Sequence, residues 1–186
     1  MKKHFKWDSH SDQPYQIKDR AFKKAERKKE LPSLIYTFAS SLLIFPLALV
    51  FLPLFRKKEI DTEQFFGMSV NLDKEPKLTP ELVNELGVKH LLVRFPMNDI
   101  DKIEDYINFL KSLKSESILL NVMQDANTIK DHALLKEQFN LIFESFSPYV
   151  KLFQIGTTIN RSKWGFFSVD QYLRFYQTAY KVKAKA

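Results

Sequence analysis

Cysteine is absent from the 186 residues. That excludes a disulfide framework, thiolate-ligated zinc, iron–sulfur clusters and a thiol nucleophile. It leaves the compartment open, because a disulfide-free chain folds on either side of a membrane. Glycine is scarce, at four residues, and no glycine-rich phosphate loop occurs. The four histidines (His4, His10, His90 and His132) are scattered, with no paired spacing for zinc. No metal and no cofactor is therefore expected, and there is no nucleophile elbow. Positive charge is not spread along the chain either. The net charge is +7, from 29 Lys+Arg against 22 Asp+Glu. Residues 1–30 hold ten cations and five anions, or +5, which leaves +2 for the other 156 residues. The basic balance belongs to a leader. At this length the chain is one domain plus accessories.

What stands out is a run without charge. Leu31–Phe55 (LPSLIYTFASSLLIFPLALVFLPLF) has 25 residues and carries no charge. A bilayer core about 30 Å thick is crossed by a helix of roughly 20 residues. Core helices rarely hold more than about 14 unbroken apolar residues, so a transmembrane helix is the expectation. Pro46 and Pro53 imply a kink, which membrane helices tolerate. A cleaved signal peptide has a shorter apolar region followed by small residues. Here the run leads into Arg56-Lys57-Lys58, so the segment reads as a retained signal anchor. Lys18, Arg20, Lys23, Lys24, Arg27, Lys28 and Lys29 precede it, and only Arg56, Lys57 and Lys58 follow closely. The positive-inside bias then puts the N-terminus in the cytoplasm of a single-pass protein and the C-terminal part outside the cell membrane. Residues 16–30 suit a basic helix on anionic lipid. Topogenic charge explains these cations, so nucleic acid is not an expected partner.

Beyond Ile60 short β-like runs alternate with helical patterns. Strands are expected at Phe65–Leu72, His90–Pro96, Ser117–Met123 and Lys151–Gly156. Helices are expected from Thr79-Pro80-Glu81 to Gly87, and over Asp101–Leu113, Ala133–Phe146 and Ser168–Lys183. Thr79 and Ser168 are read as N-caps and Gly87 as the C-terminal stop. Leu134, Leu135, Phe139, Ile142 and Phe143 are spaced for burial. Strict alternation gives an α/β fold of four βα units with parallel strands. The resulting organisation is a basic tail over 1–30, a span over 31–55, a linker over 56–63 and the βα domain over 64–186.

Two architectures fit such units, an open doubly wound sheet and half of a (β/α)₈ barrel. A whole barrel needs about 250 residues. Alternate strand residues share a face. On that basis Ser69 goes with Asn71, Leu92 with Arg94, Leu119 and Met123 with Asn121, and Leu152 with Gln154. Each strand has one apolar side and one side that is polar near its C-terminal end. A sheet covered on both faces is apolar on both, so this parity favours the half-barrel.

Leu152-Phe-Gln-Ile-Gly-Thr-Thr-Ile-Asn-Arg-Ser-Lys-Trp-Gly165 resembles the fourth-strand region of clan A glycoside hydrolases, which are (β/α)₈ barrels acting on β-linked sugars. Leu91-Leu-Val-Arg-Phe-Pro96 and Phe66-Gly-Met-Ser-Val-Asn71 are similar to that family's second and first strands. The resemblance covers roughly residues 64–180 and implies a barrel with sugar-contacting loops. Family members carry a Glu acid/base after strand four, in a Gly-Asn-Glu setting. The matching positions here read Gly156-Thr157-Thr158. A threonine hydroxyl does not titrate near neutrality and cannot replace a carboxylic acid. The family's nucleophile is a Glu on strand seven, for which this chain has no counterpart. No catalytic residue is therefore assigned. The chain is expected to be a divergent non-catalytic branch, the N-terminal part of a longer reading frame, or both.

The remaining polar residues suit carbohydrate binding. Asn71, Arg94, Asn121 and Gln154 are expected to ring the mouth. Asn160, Arg161, Lys163 and Trp164 are expected on the loop above, with the indole stacking on a pyranose or packed on its own domain. Arg94 is alternatively a structural partner of Asp125. Asp73, Asp99 and Asp125 follow strands, where turn-initiating Asp is also common. Two functions follow. One is a membrane-anchored glycoside-hydrolase-like protein without turnover, binding polysaccharide. The other is a non-enzymatic interaction module of an envelope assembly. The lipid bilayer is a partner in both. Half a barrel also leaves sheet edges and one face bare, so self-association or a complementing chain is expected.

Overall fold

The structure is a computed structural model, and it describes residues 6–8, 13–55, 66–72, 75, 77–159, 161–166 and 168–184. The expected site residue Asn160, and Asp73, lie outside the described residues. The chain divides into two units, residues 16–61 and residues 1–15 with 62–186.

The first unit is dominated by one helix, α1, Arg20–Phe51, followed by a 3₁₀ turn at Leu52–Leu54. Asp19 caps it, its Oδ1 accepting from Phe22 N at 2.9 Å. The helix starts eleven residues before the apolar run. Lys, Arg, Ala and Glu between 20 and 30 are good helix formers, and no breaker separates them from Leu31. Pro32 and Pro46 lie inside the helix, and Pro53 sits in its terminal 3₁₀ turn. Thr37 and Ser41 return their hydroxyls to the carbonyls of Ser33 and Thr37, at 2.9 and 2.8 Å. This satisfies both hydroxyls without water. No residue of α1 is buried. Arg20–Leu54 has a window of mean hydropathy 2.2 and is long and apolar enough to cross a bilayer.

The second unit begins with two short strands, β1 (Trp7–Asp8) and β2 (Gln13–Pro14), which pair antiparallel as a ribbon. The four βα units follow. They are β3 (Met68–Asn71), α2 (Leu78–Leu86), β4 (His90–Pro96), α3 (Ile103–Ser112), β5 (Ser117–Met123), α4 (His132–Phe146), β6 (Leu152–Ile155) and α5 (Val169–Lys183). The sheet is parallel throughout, in the order β3-β4-β5-β6.

β4 and β5 have the bounds the sequence predicts. α2 begins at Leu78, so Thr79 lies inside it and Lys77 takes the N-cap position. Its end is at Gly87, in the left-handed conformation at φ 64°. α3 begins two residues late because Met97–Lys102 winds first as a 3₁₀ helix. Asp131 caps α4 by accepting from Leu134 N at 3.0 Å, and Ser168 caps α5 by accepting from Gln171 N at 3.2 Å. One expected core residue is outside the core. Leu134 is 39% exposed, while its neighbour Leu135 is buried. The N-cap fixes the phase of α4, and that phase turns Leu135, Phe139, Ile142 and Phe143 inward.

The core takes one parity of each strand. Val70, Leu91, Val93, Phe95, Leu120 and Val122, with Phe153 and Ile155, pack against the buried stripes of the four helices. Phenylalanine dominates this layer. Phe95 meets Phe146 at 5.0 Å and Tyr106 at 4.8 Å, and Phe139 meets Phe175 at 5.1 Å. The opposite parity, with Leu92, Leu119 and Leu152, is not part of the cluster. Leu152 is 57% exposed.

Candidate functional site

The polar residues of the second parity fall into register. Asn71 pairs with Arg94, Arg94 with Asn121, and Asn121 with Gln154. They form one straight row across four strands, near the strands' carboxyl ends. With about 4.8 Å between strands, the row is roughly 14 Å long. Below it runs the matching row Ser69–Leu92–Leu119–Leu152. The row is a stripe of amide and guanidinium groups above a stripe that is mostly leucine. Asn121 is 5% exposed, and its Oδ1 has no hydrogen-bond partner. A buried acceptor of this kind normally finds a donor. Arg94 is half-buried, with Nε 3.3 Å from Met123 Sδ. Gln154 Nε2 donates to Gly156 O at 3.4 Å.

Just beyond the row the backbone turns sharply. Gly156 sits at φ 79° and Thr158 at φ 49°. The left-handed region strains a β-branched residue, and such strain persists only where surrounding contacts hold it. Gln124 supplies them. It is 3% exposed, donates from Nε2 to Thr157 O at 2.7 Å, and accepts from Thr157 N at 2.9 Å. This clip ties the end of β5 to the end of β6. The Thr157 and Thr158 hydroxyls lie 3.4 Å apart. They can bind a ligand hydroxyl, but they offer no titratable acid.

The aspartates after the strands have structural work. Asp125 Oδ2 accepts from the backbone and hydroxyl of Thr128 and from Asn127 N, at 3.0–3.1 Å. Asp99 binds Lys102 at 2.9 Å and the Tyr106 hydroxyl at 3.2 Å. His90 pairs with Ser117 at 2.7 Å where the central strands begin. Among the described residues no three His, Asp or Glu side chains converge as metal ligands would.

The loop after β6 carries the rest. Arg161 is exposed, and its N–H donates to Thr158 O at 3.1 Å. Trp164 is 8% exposed. Its ring meets Trp7 of the N-terminal ribbon edge-on, with centroids 6.1 Å apart and planes at 77°. Lys163 Nζ donates to Gln13 Oε1 at 2.9 Å. Lys6 and Tyr15 join the ribbon through Tyr15 N to Lys6 O, at 2.9 Å. The Asp8 carboxylate pushes the Tyr15 phenol above its usual range. A cleft of about 130 Å³ remains under the ribbon, with Asn98 and Gln124–Asn127 on its floor.

The structure thus gathers Asn71, Arg94, Asn121 and Gln154 in one row and puts Arg161, Lys163 and Trp164 on an adjoining loop. Trp164 packs on its own unit. Sequence reasoning missed Gln124 and the ribbon. The available signal was the apolar and aromatic set Trp7, Pro14 and Tyr15 in a leader rich in charge. Comparison with protein families, curated proteins and solved structures finds no match.

Proposed function

We propose that the chain is a membrane-anchored protein of glycoside-hydrolase type that binds polysaccharide without cleaving it. Its βα units are half of a (β/α)₈ barrel, and the helix-free parity is the inner face. The row Asn71–Arg94–Asn121–Gln154 carries this reading. Sugars present dense, directional hydroxyls. A line of amide donors and acceptors with one guanidinium suits them, and the unpartnered Asn121 Oδ1 awaits a donor. The absence of a carboxyl group at Thr157 and Thr158 argues against turnover. The helix α1 anchors the protein in the cell membrane as a single pass, with the N-terminus cytoplasmic and the βα domain outside. The test uses the full chain in lipid nanodiscs on a glycan array, followed by titration of the best glycan. The Arg94→Ala variant is expected to bind about tenfold more weakly, from loss of one charge-assisted hydrogen bond. No reducing sugar should be released. Release of reducing sugar, or affinity unchanged in the variant, refutes the reading.

One observation favours a second reading, an interaction module completed by another chain. β3 and β6 are the end strands of the sheet, and Leu152 on β6 is mostly exposed. A parallel sheet is normally covered on both faces. The partner in this reading is a second copy or another βα segment.

A further inference from the structure

The ribbon lies over the loops that the proposed function assigns to sugar contact. Trp7 covers Trp164, Gln13 holds Lys163, and the cleft floor lies at the carboxyl ends of β4 and β5. Connectivity limits when this arrangement can exist. Tyr15 ends the ribbon four residues before the cap of α1, and β3 follows α1. A helix that crosses a bilayer delivers its two ends to opposite faces. The ribbon and the βα units of one chain would then be on different sides of the membrane. A seated ribbon and a crossed helix exclude each other.

Which of the two wins depends on what each gains. The ribbon has two paired strands of two residues, too short to be stable alone. Besides the burial of Pro14, an edge-on indole contact and a side-chain hydrogen bond from Lys163 tie it to the loop after β6. The helix offers 25 consecutive uncharged residues to lipid, none of them buried in the protein. Insertion therefore outweighs docking wherever a bilayer is available.

We propose that the N-terminal ribbon is a releasable cap on the mouth of the βα units, seated while α1 is not across a membrane and withdrawn when α1 crosses it. Withdrawal uncovers Trp164 and frees Lys163. The crossed protein presents an aromatic platform and a cation at the mouth, and the uncrossed chain keeps them covered. The idea that the uncovered platform meets sugar rests on the proposed function. The exclusion itself rests on connectivity and on the Trp7–Trp164 contact.

The sequence makes the test direct, because Trp7 and Trp164 are the two tryptophans and there is no cysteine. A Trp7→Phe full chain keeps a ring at the ribbon and leaves Trp164 as sole indole. In detergent micelles, which impose no sidedness, its fluorescence should be shielded from iodide. In nanodiscs of phosphatidylcholine and phosphatidylglycerol, iodide quenching should roughly double as the capped population empties. A Gln13→Cys/Lys163→Cys chain should be linked within one molecule by a short bis-maleimide in micelles and not in nanodiscs. Protease protection of each terminus in sealed vesicles reports crossing. A Trp164 equally quenched in micelles and nanodiscs overturns the cap. So does efficient cross-linking in a chain whose helix is shown to cross. Both termini on one side, with the cross-link retained, overturns the releasable cap together with the single-pass anchor. A negative glycan array sinks the sugar reading and leaves the cap standing.

Discussion

At the residue scale two glycines are informative. Gly165 lies at φ 100°, and a Cβ there would sit 2.9 Å from Ala126 Cα and 3.2 Å from Ile129 Cδ1. The loop after β6 can lie against the loop after β5 only because this position has no side chain. Gly87 also has positive φ, yet a Cβ there would meet nothing within 4 Å. Both positions suffer backbone strain from alanine, but only one suffers a collision. Gly165→Ala is expected to cost about 2–4 kcal/mol, with overpacking added to strain, and Gly87→Ala about 1 kcal/mol. Urea unfolding of the two full-length variants in micelles, followed by circular dichroism, separates them. Equal costs would mean the Gly165 contact is not tight. The caps at Asp131 and Ser168 belong to the same scale. Ser168 was legible because the cap rule is local. Asp131 lies two residues before the expected helix start at Ala133, where the cap rule does not look for it.

At the element scale α1 carries the strongest signal. Its apolar composition needs no tertiary information, and the structure shows it as one continuous helix with no buried residue. Its beginning was less legible, because helix propensity does not distinguish a charged helical turn from a charged tail. Arginine or lysine at the centre of a span costs about 2.5–3.5 kcal/mol each. The double variant Leu43→Arg/Leu47→Lys is therefore expected to move most of the chain from the membrane pellet to the alkaline-extractable fraction. Leu43→Ile/Leu47→Ile should remain in the pellet. Retention of the charged variant would argue that α1 does not insert. The strands behave differently. Period-two parity sorted Asn71, Arg94, Asn121 and Gln154 onto one face. Only hydrogen-bonded register makes them a row, since a slip of one residue would turn every side chain over.

At the scale of the molecule, α2, α3, α4 and α5 all pack on one parity of a four-stranded parallel sheet. The other face has half-buried leucines beneath its polar row, and β6 presents Leu152 at an edge. Such surfaces recruit another chain. Sedimentation of the full chain in micelles is expected to show concentration-dependent association, weakened by Leu152→Lys at the edge. A monomer at every concentration would refute the association, and association untouched by the lysine would locate the contact elsewhere, for instance in α1.

Local chemistry was enough for the long apolar helix, the alternation of strands and helices, most element boundaries and the identity of the polar side chains near the strand ends. Each depends on residues within a turn or two of one another, where steric preference, capping and periodic burial act directly. The Trp7–Trp164 contact and the Lys163–Gln13 bond join positions 150 or more residues apart. The Gln124 clip spans 33 residues, and the strain at Thr158 is held by its surroundings. No local preference encodes such meetings. The Gln124 clip exists because packing one face of the sheet brings the ends of its strands together, with chain-closure entropy already spent on the core, whereas the ribbon contacts depend on where the tertiary structure seats a separate two-stranded element.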